Sequence, residues 1–234
     1  MFMLRKTGPG VDGGRPTPCG EGRLHDLRFR TLLGAAAWSR LPPAVRERFS
    51  KRLAAGAAVT YAGEIVESRR NRIGWLIAQA CRLIGAPLPL SDDIGAPAVV
   101  TVTEDAASGG QFWTRMYGRR RGFPQVIHSS KRFAGPTGLE EYLGGGFGIA
   151  LSLSADDHAL HFHSDHYFLD LGGLRFRLPP WLAPGALTIS HIDQGAGTFA
   201  FVLALHHPLC GEVINQTGLF RERFPHSHKE SPHD

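Results

Sequence analysis

The chain has 234 residues, 20% of them charged and 42% hydrophobic, and carries a formal charge of +5. That balance excludes a wholly disordered chain, and no apolar run reaches the roughly 18–20 residues that a membrane-spanning helix needs. The length suits one large domain or two small ones, and the mild, dispersed basic excess does not point to nucleic acid.

The apolar opening Met1 to Leu4 stops at Arg5 and Lys6, short of the roughly 7–15 residue core of a secretory signal. Gly8, Pro9, Gly10, Gly13, Gly14, Pro16, Pro18 and Gly20 make residues 1–23 a flexible leader, and residues 225–234 a polar tail, around one globular domain over 24–224. Cys19, Cys81 and Cys210 stand alone with no CxxC spacing, which fits a reducing compartment and a cytoplasmic location.

Leu24, Leu27, Phe29, Leu32, Leu33 and Ala36 recur at helical spacing over 24–39. Leu41-Pro42-Pro43 ends that helix, and Pro43 suits the first turn of another over 44–53. A strand over 59–66 follows, then residues 73–86, apolar nearly all round and stopped by Pro87 and Pro89. Such a helix is expected to bury itself against the rest of the protein, and peripheral membrane contact is not expected. From residue 96 the period changes to two. Strands are predicted over 98–103, 111–117, 123–133, 139–143, 147–154, 160–171, 174–178, 187–192, 198–206 and 213–220. The fold class expected is α+β and mostly β. It is a strongly curved, half-barrel-like antiparallel meander of about nine or ten strands, with the N-terminal helices and the apolar helix against it.

Two strands separate large from small residues: Phe147, Ile149, Leu151 and Leu153 oppose Gly148, Ala150, Ser152 and Ser154, and Phe199, Phe201, Leu203 and Leu205 oppose Ala200, Val202 and Ala204. Something must fill the space over the small faces: either the apolar helix, giving an ordinary packed interior, or a hydrophobic ligand beneath it. Trp113, Arg115 and Tyr117 share a strand face. A guanidinium between two aromatic rings can grip a carboxylate or phosphate head group; the plainer alternative is a cross-strand stack on a wet face.

His161, His163 and Asp165 fall two apart, so an undisturbed strand would project two imidazoles and a carboxylate together, a set used in iron and zinc sites. The competing reading is the solvent side of a one-faced sheet. Gly144-Gly145-Gly146-Phe147-Gly148 lacks the lysine of a phosphate loop and precedes a strand, and no GxSxG is present.

Phe112-Trp113-Thr114-Arg115-Met116-Tyr117, Glu141-Tyr142-Leu143-Gly144, Leu178-Pro179-Pro180-Trp181-Leu182-Ala183-Pro184 and His207-Pro208-Leu209-Cys210-Gly211, in that order, resemble the bacterial family known as domain of unknown function 4166 over roughly residues 27–221. The resemblance implies a stand-alone chain, or one fused elsewhere to saccharopine dehydrogenase or short-chain reductase-like domains. It implies an accessory or substrate-handling role and supplies no catalytic residue.

The leading expectation is a non-enzymatic module for an apolar or lipid-like molecule in the concave face of the sheet, with Trp113, Arg115, Tyr117, Tyr142, Ala150 and Ser152 as contacts and no cofactor. The alternatives are a metal-dependent enzyme centred on His161, His163 and Asp165, and an accessory domain beside a separate NAD(P)-dependent oxidoreductase.

Overall fold

The computed structural model describes residues 26–53 and 56–223; the expected leader and tail lie outside them. Three short helices open the described chain: α1 (Arg28–Leu33), α2 (Ala35–Arg40) and α3 (Pro43–Phe49). The single helix expected over 24–39 is broken at Gly34, whose φ of +78° interrupts helical hydrogen bonding and is open to a residue without a Cβ. Pro43 occupies the first turn of α3, as its fixed φ dictates.

Eleven strands follow: β1 (Ala58–Arg70), β2 (Pro97–Asp105), β3 (Gly110–Tyr117), β4 (Gln125–Arg132), β5 (Glu140–Gly144), β6 (Phe147–Ala155), β7 (Ala159–Leu171), β8 (Leu174–Arg177), β9 (Ala186–Asp193), β10 (Thr198–His207) and β11 (Gly211–Arg223). Strands next to each other in sequence pair antiparallel, except that β9 passes over β8 to pair with β7, so the meander is present with one strand left out of it. The half-barrel is not. The first strand pairs with the last, Tyr61 opposite Glu222 and Gly63 opposite Phe220, and ten strands close into a barrel. Closure removes both free edges. β8 stays outside the ring as a flap hairpinned onto β7. Glu140, fully buried on β5, fastens it by accepting from both Arg175 Nη atoms at 2.6 and 2.8 Å.

The two ends of the barrel close differently. At one end α1–α3 drive a plug of rings inward: Phe29 stacks edge-on to Phe49 at 5.2 Å and Phe133 at 5.0 Å, and Phe49 meets His191 at 4.9 Å. Across the other end lies α4 (Arg72–Ala80), continued by one 3-10 turn over Cys81–Ile84. Asn71 caps it by accepting from the Gly74 amide at 2.8 Å. The expectation that this apolar helix is buried all round is overturned. Gly74 and Ala78 are its buried residues, while Ile73, Trp75 and Leu76 are exposed, as is Leu83 of the 3-10 turn at 91%.

Gly74 decides how closely α4 sits. A Cβ there would stand 2.0 Å from the Val213 carbonyl oxygen of β11, so any side chain must push the helix away. Gly74→Val is expected to destabilise by about 1–3 kcal/mol and to widen the barrel mouth. Urea unfolding reads the first effect and faster release of a bound apolar dye the second.

Candidate functional site: a cavity between a charged floor and a loose lid

Inward-facing residues are the large ones. On β10 Phe201, Leu203 and Leu205 point into the barrel, on β6 Ile149, and on β9 Leu187 and Ile189. The small faces point outward: Gly148 lines the cavity with its backbone alone, since a Cβ on it would strike the Phe168 ring on the outer wall, Ala150 is fully buried away from the cavity lining, and Ser152 is exposed. The expected trough lined by glycine, alanine and serine is therefore corrected. The interior of β6 and β10 is the bulky side, and space is left because the barrel is wider than its side chains fill.

That space is a cavity of about 600 Å³ between α4, its 3-10 turn, the corner holding Trp181 and Leu182, and the inner walls of β3–β7, β9 and β10. It falls in the size range of small-molecule sites. A sealed dry void that large would cost on the order of 14 kcal/mol at ~24 cal/mol per Å³, as much as the whole stability of a typical domain. The void is tolerable because its mouth opens beside Leu83 and Trp181, exposed to 91% and 81%.

The floor is charged. On β3 the inward residues run Gln111, Trp113, Arg115 and Tyr117, all buried. Arg115 is 6% exposed and donates from Nη2 to Glu141 Oε1 at 3.0 Å. Lys131, directly opposite Glu141 in the β4–β5 register, donates from Nζ to Glu141 Oε2 at 2.8 Å. The Lys131 ammonium also lies 4.9 Å from the Trp113 ring centroid and 5.4 Å from that of Phe162, on the plug side. Arg115 and Glu141 line the cavity; Trp113 and Lys131 stand behind them.

Burial alone would raise the Glu141 carboxyl, but the ammonium of Lys131 and the guanidinium of Arg115 outweigh it and hold the group well below the usual carboxylate range. Burial pushes the Lys131 ammonium down from its ordinary value. His191, ringed by Phe49, Trp113, Phe162, Phe199 and Phe201, is held well below the ordinary histidine range by burial, so it is neutral at pH 7. Burial raises the phenols of Tyr117 and Tyr167 as well, and they too are neutral.

These shifts set an acid limit. A neutral buried histidine takes no proton that its unfolded counterpart binds below about pH 6.5, and a depressed carboxylate resists the proton the unfolded chain takes below about pH 4.3. In both windows the unfolded state binds more protons, so stability falls with pH by up to about 1.4 kcal/mol per unit per group. Stability is expected to start dropping near pH 6.5 and to drop more steeply near pH 4. His191→Phe should remove the larger part of the first limb in a urea-midpoint series against pH, leaving the part that belongs to His163, which burial also lowers.

Of the six expected contacts, Arg115 and Tyr117 line the cavity; Trp113 supports Arg115 from behind. Tyr142 lies outside, donating to Glu140 at 3.2 Å and edging Phe168 at 5.4 Å. Sequence reasoning missed Glu141 and Lys131, although Glu141 is a charge between Leu139 and Leu143 on an otherwise apolar parity; Lys131 shares its parity with Gln125, Ile127 and Ser129, and only its place opposite Glu141 marks it.

His161 and His163 do share the outer wall, their rings stacked 6.0 Å apart. A bulge in the β6–β7 register between Ala150 and Leu151 then displaces Asp165, which bonds His166 at 2.6 Å instead. His161 bridges Ser190 Oγ at 2.7 Å and Asp156 Oδ2 at 3.0 Å, and His163 bonds Ser154 Oγ at 2.8 Å. That bond with His161, ahead of the His158 and Ala159 amides, draws the Asp156 carboxyl down to about 2. Among the described residues no three His, Cys, Asp or Glu side chains converge to hold a metal. These groups pin strands and a turn together. His161→Ala is expected to cost about 1 kcal/mol in urea unfolding; stoichiometric zinc or iron lost in that variant would restore the metal reading.

The fold and site define a small closed antiparallel barrel, plugged at one end and holding an apolar cavity with an ionic floor. The chain belongs to the family described as a domain of unknown function, DUF4166, whose pattern matches residues 41–220. No curated protein and no solved structure matches it. None of the helices among the described residues is long and apolar enough to cross a membrane.

Proposed function

We propose that the protein binds an apolar or lipid-like small molecule inside its barrel and performs no chemistry on it. The observation that carries this reading is the cavity of about 600 Å³ lined by Ile77, Ile127, Ile149, Ile189, Leu203 and Leu205. At ~30 Å³ per heavy atom, by analogy with water, it has room for about twenty, the size of a single-chain lipid. The exposed apolar rim of Trp181, Leu182 and Leu83 supports the same reading, because apolar patches beside a pocket mark interaction sites.

Titration with Nile red, a neutral dye that brightens in apolar surroundings, tests it. Saturable binding of one dye per chain, displaced by a long-chain amphiphile, is expected. Emission that rises without saturating, and no displacement, would remove the reading.

A further inference from the structure

We propose that the ligand is an anionic amphiphile of the long-chain carboxylate class, seated with its head group on Arg115 and its chain running toward the mouth beside Leu83 and Trp181. This rests on the cavity being a ligand site and names what the site selects.

The floor holds two cations and one anion. Glu141 divides its two oxygens between Arg115 at 3.0 Å and Lys131 at 2.8 Å, which leaves one positive charge in excess in a layer where all three side chains are almost wholly buried. Of the other titratable side chains near this layer, His191, Tyr117 and Tyr167 contribute no charge at pH 7, and Arg48, beyond His191 on the plug side, has the carboxylates of Asp193, Glu222 and Glu47 near it. A guanidinium has five donors. Among the described residues Arg115 makes one side-chain hydrogen bond, from Nη2, and its buried Nε has no partner. Lys131 is spent: it faces Glu141 and two aromatic rings on the plug side. The excess charge is therefore presented to the cavity by Arg115.

A buried charge without a counter-ion is costly unless something completes it, and a carboxylate matches the planar fork of a guanidinium. The charge count also sets the valence. One excess positive charge is neutralised by a carboxylate at −1, whereas a phosphate monoester at about −1.5 to −2 overshoots it. Head-down seating follows from the positions: the single spare cation is at the floor, and the lid end offers Ile73, Ile77, Leu83, Trp181 and Leu182 to a hydrocarbon chain.

The test compares three ligands of equal chain length, tetradecanoate, tetradecanol and tetradecyl phosphate, by displacement of Nile red from the full chain. Tetradecanoate is expected to bind at least tenfold more tightly than tetradecanol. That preference should collapse to within about twofold in Arg115→Met, a variant that leaves Glu141 paired with Lys131, and should survive in Arg115→Lys, which keeps the charge. Equal affinity of acid and alcohol for the unaltered protein would overturn the head-group assignment while leaving apolar binding standing. Tighter binding of the phosphate than of the acid would overturn the single-charge assignment. Failure of all three ligands together with the dye removes the cavity as a site, a different outcome from either.

Discussion

Glu141→Ala is expected to cost about 3–5 kcal/mol of folding stability, the range seen when one partner of a buried ion pair is removed. It would strand two cations, Arg115 and Lys131, in a layer where they are 6% and 2% exposed. Trp113 and Phe162 offer the ammonium only ring faces. The matching change on the other side behaves differently. Lys131→Met leaves Arg115 and Glu141 as a balanced pair and fills the same space with an apolar chain, so its expected cost is about 1 kcal/mol or less. The asymmetry is the signature of a floor with surplus positive charge. Urea unfolding of both variants measures it, and equal losses would mean that Glu141 and Lys131 form an isolated pair in which Arg115 has no share.

Filling the cavity should separate binding from folding. In Leu203→Trp, combined with Ile149→Phe, larger side chains from β10 and β6 occupy space that is now open. Overpacking ordinarily destabilises a core, but here about 600 Å³ is free, so stability should hold or rise by about 1 kcal/mol. Affinity for a Nile-red-sized or single-chain ligand should fall at least tenfold. Dye titration beside a thermal melt reads both. A variant that folds normally and binds unchanged would mean that the dye sits elsewhere, for example on the exposed rim at Trp181.

Much of this architecture is legible in the sequence, because a two-residue period reports directly which side chains share a face. Trp113, Arg115 and Tyr117 do point the same way, and the ten strands expected after residue 96 are all present with small boundary shifts. What local pattern cannot carry is closure. The pairing of β1 with β11 joins the first strand to the last, Tyr61 to Glu222, and nothing in residues 59–66 marks them as partners of 213–220. Without closure, residue parity alone does not say on which side of the sheet a cavity lies. The small residues Gly148, Ala150 and Ser152 suggest a vacancy, yet their side-chain positions face outward, where Phe168 and the β8 flap cover part of them, and Gly148 meets the cavity with backbone alone. Asp165 failed for a related reason, since one bulge on β7 cancels the two-residue rule that placed it beside His163. Glu141 could have been found as a charge interrupting the apolar parity of Leu139 and Leu143, and Lys131 as an opposite charge on the predicted strand before it. The α4 helix misled because an apolar stretch reads the same whether it is sealed inside a protein or laid loosely across a mouth.

The most direct measurement is native mass spectrometry of the protein purified without detergent, followed by extraction and identification of what it carries. The account predicts a mass above that of the bare polypeptide by one amphiphilic molecule per chain, reduced to the bare mass in the cavity-filled Leu203→Trp, Ile149→Phe variant. A bare mass from the outset, in protein that also takes up no long-chain acid or alcohol when these are supplied, would contradict it.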